Sequence, residues 1–114
     1  MGDADKNKHQ LIEMLSQGEA KYRSFFENAV EGVFQSTPDS KLIAVNPAMA
    51  RIFGYESPDE MVADVTNIGH QLYINASDRH TFKQLLETNG IVEGFESQFY
   101  RKDGSALWGS LNVR

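Results

Sequence analysis

Leu42-Ile43-Ala44-Val45-Asn46-Pro47-Ala48-Met49-Ala50-Arg51-Ile52-Phe53-Gly54-Tyr55 reads as a strand that turns directly into a short helix. Leu42 to Val45 is apolar and partly β-branched, which suits a pleated, buried surface. Asn46 is a good N-cap, because its side-chain oxygen accepts from free N–H groups of the first turn. Pro47 stands at the first helical position, where a missing N–H costs nothing. Met49, Ile52 and Phe53 fall on one helical face, and Gly54 can adopt the left-handed conformation that ends a helix. A strand and a helix joined this tightly make a corner, and a corner can wall a pocket.

Outward from that corner, 114 residues suffice for one domain with one core. A formal net charge of −5 argues against a nucleic-acid binder, which needs a basic footprint. There are no cysteines, so disulfides, thiolate nucleophiles and thiolate metal sites are excluded, and a cytoplasmic setting is expected. No apolar run approaches the roughly 20 residues of a membrane span, and the polar start Met1-Gly2-Asp3-Ala4-Asp5-Lys6 does not read as a signal peptide.

Toward the N-terminus, Leu11, Leu15, Gly18, Tyr22, Phe25 and Ala29 recur at spacings of three and four, which predicts a helix. Ser16 and Glu19 form a capping-box pattern, so the helix is expected to break near Gly18 and restart. Two readings stay open for its apolar seam: a lid on the domain's own sheet, or a dimer and linker helix carried by Leu11, Leu15, Tyr22 and Phe25. Residues 1–20 are thus assigned to an N-terminal tail and helix, and 21–114 to the domain proper.

Gly32 to Thr37 is a predicted strand, and Pro38-Asp39-Ser40-Lys41 turns it into the strand at Leu42. Ser57-Pro58-Asp59-Glu60 starts a short helix with Met61, Val62 and Val65 turned inward. A further helical turn is expected over 67–73. Ser77 or Asp78 begins a longer helix with Phe82, Leu85 and Leu86 on one face, ended by Asn89-Gly90. The last third is a hairpin, Ile91 to Tyr100 and Ala106 to Val113, turning at Asp103-Gly104. Phe95 and Phe99 share one face of the first strand, while Trp108 and Tyr100 lie opposite their strands' main apolar sets. Large aromatics on both faces call for cover on both faces.

The element order, with Tyr22-Arg23-Ser24-Phe25-Phe26-Glu27-Asn28-Ala29, Glu31-Gly32-Val33-Phe34, Asn46-Pro47-Ala48 through Phe53-Gly54-Tyr55, and Arg101-Lys102-Asp103-Gly104 followed by Trp108, resembles a PAS domain. Gln71-Leu72-Tyr73 to Asp78-Arg79, with Gly94-Phe95-Glu96, is similar to PAS domains that precede diguanylate cyclase, nucleotide cyclase or histidine kinase domains of bacterial signalling proteins. The resemblance implies an α+β fold: an antiparallel sheet, short helices on one face and an N-terminal helix on the other. It also implies a fifth, central strand after Leu111-Asn112-Val113, so the chain is expected to be a C-terminally incomplete segment unless a partner strand or a swapped element fills that place.

Catalysis is not expected of this segment. His9, His70 and His80 are scattered, Asp59 and Glu60 read as helix-start residues, and Asp78 and Arg79 as a cap and an ion-pair partner. No ligand cluster suggests a metal. In some PAS oxygen sensors a histidine of the long helix ligates haem, but the matching position here falls nearer Phe82 than His80. A flavin adduct needs a cysteine, which leaves only non-covalent flavin. No cofactor is therefore expected. In the PAS arrangement Phe34, Val45, Ile52, Phe53 and Leu72 would converge with Phe82, Leu86, Phe95 and Phe99 to line a small-molecule pocket or, as plainly, a filled core. The expected function is a signal-sensing and dimerisation module, a homodimer with a possible small-molecule ligand, that biases an attached output domain. The alternatives are a purely structural interaction module and a non-covalent haem or flavin sensor.

Overall fold

The computed structural model describes residues 9–13 and 20–114. The corner at Leu42 forms as its residues dictate. Strand β3 (Leu42–Val45) runs into helix α2 (Pro47–Ile52) through Asn46, which caps with its side chain. Asn46 is fully buried, and every polar group of its side chain is used. Its Oδ1 accepts from the N–H of Met49 and of Val33, both at 2.9 Å, and its Nδ2 donates to the Glu31 carbonyl at 3.0 Å. One side chain thereby ends β3, starts α2 and clamps both to strand β2 (Gly32–Ser36). Gly54 follows in the left-handed region with φ of 82°, where a side chain would be strained.

Helix α3 (Pro58–Asp64) begins at Ser57, whose Oγ accepts from Glu60 N–H at 3.1 Å. Glu60 reaches back to the Glu56 N–H rather than to its own cap residue. Its other oxygen pairs with Lys102, tying α3 to the far hairpin turn. Met61 and Val65 are buried as expected. The short helix α4 (Ile68–Gln71) is capped by Asn67, and the long helix α5 (Ala76–Asn89) by Asn75, two or three residues earlier than the expected start. On α5 Phe82 is buried and Leu86 partly so, but Leu85 faces solvent, because the helix lies on the core through a narrower stripe than its apolar residues suggest. Strands β4 (Val92–Tyr100) and β5 (Ala106–Val113) make the expected antiparallel hairpin, with a bulge between Val92 and Phe95.

The N-terminal segment corrects the helical reading. Residues His9–Glu13 form strand β1, and helix α1 spans Ala20–Asn28 among the described residues. Leu11 therefore belongs to no helical seam; Leu15 and the Ser16–Glu19 capping pattern lie outside the described residues. The five-stranded sheet has the order β3-β2-β1-β5-β4. β1 is parallel to both neighbours, so the sheet is mixed rather than purely antiparallel. It pairs Leu11 with Gly32 on one side and with Leu111 on the other. The central place that the resemblance assigned to a strand after Val113 is thus held by the opposite end of the chain.

Two glycines explain the fit. A Cβ on Gly32 would stand 3.0 Å from Leu11 Cδ2, and one on Gly109 would stand 3.1 Å from Leu11 Cδ1 and 2.9 Å from the Phe99 ring. Leu11, 1% exposed, fills the socket those missing side chains leave. Helices α2 to α5 cover the face that carries Leu11, Phe34, Phe99, Leu107 and Leu111, and the core lies between. On the other face Trp108 stays 38% exposed, while Val33 is buried apart from the main core.

Candidate functional site

A cavity of about 30 Å³ lies inside the core, between the sheet and helices α2, α4 and α5. Its walls include Phe34, Phe53, Leu72, Phe82 and Phe99, five of the nine residues expected to line a pocket. The other four are placed elsewhere. Val45 is buried in the core, Ile52 packs at its margin, and Phe95 meets the Phe82 ring edge-on with centroids 5.5 Å apart. Leu86 lines a separate cleft of about 270 Å³ that shares Glu13, Ser36, Arg79 and Phe82 with the cavity.

Besides these apolar residues the cavity wall has four polar ones, none of them among the nine expected: Glu13, Ser36, Tyr73 and Arg79. Tyr73 follows α4 and bridges to Phe99 of β4, with the two rings edge-on at 4.9 Å. It is 4% exposed, and its hydroxyl has no hydrogen-bond partner among the described residues. Such a buried, unpaired hydroxyl costs about 1–3 kcal/mol. Burial pushes its pKa up to about 12, against the pull of the Arg79 guanidinium beside it, whose charge and N–H groups both favour the phenolate.

Arg79, one turn into α5, neither caps the helix nor pairs with a carboxylate within ion-pair distance among the described residues. Its Nη2 donates to Ser40 Oγ at 2.7 Å, its guanidinium lies 5.4 Å from the Tyr73 ring centroid and 5.9 Å from that of Phe82, and its Nε is buried without a partner. Ser40 is held for this contact. It has a positive φ of 72°, unusual for a serine, and its carbonyl accepts from Ile68 N–H. The arginine stem crosses Gly69, where a Cβ would come within 3.3 Å of Arg79 Cγ. The adjacent Asp78 instead accepts from the buried Ser97 hydroxyl at 2.7 Å.

Glu13, at the end of β1, places its carboxylate on the Ser36 N–H and hydroxyl. Burial raises its pKa, the Ser36 donors pull it back, and the Arg79 charge does so more weakly. Among the described residues no three His, Asp or Glu side chains are grouped to hold a metal. His80 is exposed on α5 and does not line the cavity, and His9 and His70 are likewise apart from it. No helix among the described residues is long and apolar enough to cross a membrane.

A mixed five-stranded sheet with helices α2 to α5 on one face and a cavity beneath them is an α+β fold. The sequence profile of the PAS domain family matches residues 30–114, and the chain belongs to that family. It is 25% identical over 115 residues to the sensor histidine kinase TmoS of Ectopseudomonas mendocina, a match that covers 95% of this chain and 11% of that protein. The fold resembles the crystal structure of a domain of a sensory box sensor histidine kinase/response regulator from Geobacter sulfurreducens. There the TM-score is 0.60, with 23% identity, 77% of this chain covered and 75% of the other.

Proposed function

We propose that this domain is the sensory input module of a signalling protein whose output domain is a histidine kinase. The observation that carries the reading is the make-up of the cavity wall. Leu11 and Glu13 of β1 and Leu111 of β5 all border it, and these two strands are the ones nearest the two ends of the chain. A change of occupancy or packing in the cavity therefore acts directly on the segments through which a domain is joined to its neighbours. Any stimulus works by favouring one packing of β1 against β5 over another, and shifts output by no more than that difference. The family match and the likeness to a sensor histidine kinase support the class of output. A diguanylate cyclase output would use the same two strands. The domain itself has no catalytic role in this reading.

The test is kinase autophosphorylation in the protein that carries the domain, measured for Leu111→Ala and Leu11→Ala. The expected result is a several-fold change in output, up or down, with the kinase domain still folded. Unchanged output from both variants overturns the reading. Self-association is a second reading, favoured by Phe25, which is 49% exposed on α1. A lower sedimentation coefficient for Phe25→Ser supports it, and an unchanged one removes it.

A further inference from the structure

The Tyr73 hydroxyl and the Arg79 Nε belong to side chains that line the same cavity, both are buried, and neither makes a close hydrogen bond among the described residues, although the Arg79 guanidinium stands beside the Tyr73 oxygen. Buried polar atoms in native proteins are satisfied as a rule, and an unsatisfied pair in one wall points to a group that completes them. The Arg79 Nε can only donate, the Tyr73 hydroxyl still has its O–H to give when its oxygen faces the guanidinium, and that guanidinium has no ion-paired carboxylate among the described residues. The complement is an anion. Apart from Glu13 and Ser36, which are bonded to each other, the remaining walls are leucine, isoleucine, methionine and phenylalanine, so the rest of the ligand is apolar. One guanidinium and one phenol match a single carboxylate better than a doubly charged phosphate, and arginine's planar fork fits a carboxylate.

We propose that the cavity binds a small carboxylic acid with an apolar body, its carboxylate on Arg79 Nε and Tyr73 Oη, and that Glu13 is the internal acid it displaces. The proposal rests on the sensory reading and names its ligand class. Glu13 already holds a carboxylate at the Ser36 donors, in the wall that the cavity shares with the neighbouring cleft. At about 30 Å³ the cavity itself has room for only a water or two. The cleft beside it measures about 270 Å³, and movement of the Glu13 and Phe82 side chains joins the two. Acid binding and the docking of β1 are thereby coupled, and each weakens the other by the same factor.

The experiment is calorimetric titration of the 114-residue chain at pH 7 with sodium benzoate and sodium hexanoate, and with benzamide as the uncharged counterpart. The expected result is saturable binding of at least one acid, with benzamide at least about tenfold weaker, since a neutral amide leaves the guanidinium without its counter-charge. Tyr73→Phe and Arg79→Gln are expected to weaken the acid by about tenfold or more, and Glu13→Gln to tighten it. Tyr73→Phe keeps the ring and its packing, so it decides the matter if Arg79→Gln does not fold. Failure of both acids to bind wild type and Glu13→Gln overturns the proposal. So does binding that Tyr73→Phe leaves unchanged, or benzamide binding as tight as benzoate. The sensory reading is decided separately by kinase output in Leu11 and Leu111 variants, which needs no ligand, so the two failures are distinguishable.

Discussion

Asn46 shows how much one residue can specify. Its role as a helix cap follows from its neighbours in sequence, because Pro47 and the apolar positions after it leave no better start. Its bonds to Val33 N–H and the Glu31 carbonyl do not, since those partners lie 13 and 15 residues away. Replacing it by alanine strands two buried N–H groups and one carbonyl. Asn46→Ala is expected to cost about 2–4 kcal/mol, above the ~1 kcal/mol of a cap alone, as read from urea unfolding. A loss of only about 1 kcal/mol would reduce Asn46 to an ordinary cap. Tyr73 and Arg79 are the opposite case. Nothing local marks them, and the reading of Arg79 as an ion-pair partner fails because its bonded neighbour is Ser40, 39 residues away.

At the scale of elements, the caps and turns at Asn46, Ser57, Asn67, Gly90 and Asp103-Gly104 were legible because each signal is contained in four or five residues, whereas the cap at Asn75 competes with Ser77 and Asp78 within one turn. β1 was not. A spacing of four between Leu11 and Leu15 satisfies a helix and a strand alike, and five residues are too few to separate the two periods. What selects the strand is the socket beneath Gly32 and Gly109 and two rows of pairing sites on β2 and β5. Leu11→Ala is accordingly expected to cost about 2–5 kcal/mol in chemical denaturation. A leucine in a frayed surface helix would cost no more than about 0.5 kcal/mol, and that outcome would return residues 9–13 to the helical reading.

For the whole molecule, the sheet closes by bringing its earliest and latest strands together. Asn112 Nδ2 donates to Gln10 Oε1 across 102 residues of sequence. Glu13 stands where that closure meets the helix layer, facing Arg79 and Tyr73 across the cavity and Lys83, Glu87 and Arg114 across the cleft. Its pKa is raised above the usual carboxylate value by burial. A raised carboxyl pKa favours the protonated form in the folded state. The stability Glu13 contributes is therefore full below its unfolded pKa and is lost as pH rises through the higher folded one. Thermal melts of wild type and Glu13→Gln are expected to show wild type losing ground to the variant as pH rises above the ordinary glutamate value of 4.5. Parallel curves would mean that Glu13 is not buried as described. The gap widens further if an added carboxylic acid competes for the same wall.

By itself the sequence determined the α+β class, the family resemblance, the elements from β2 onward and five of the apolar residues of the cavity wall, Phe34, Phe53, Leu72, Phe82 and Phe99. These follow from caps, turn residues and hydrophobic period, all of which act over a few neighbouring residues. Only the tertiary structure decided that His9–Glu13 is the central strand, and that Glu13, Ser36, Tyr73 and Arg79 bring polar groups to an apolar cavity. The physical reason is range. Strand pairing and buried polar contacts join groups that are far apart in the chain, and their energy comes from partners that no local pattern names.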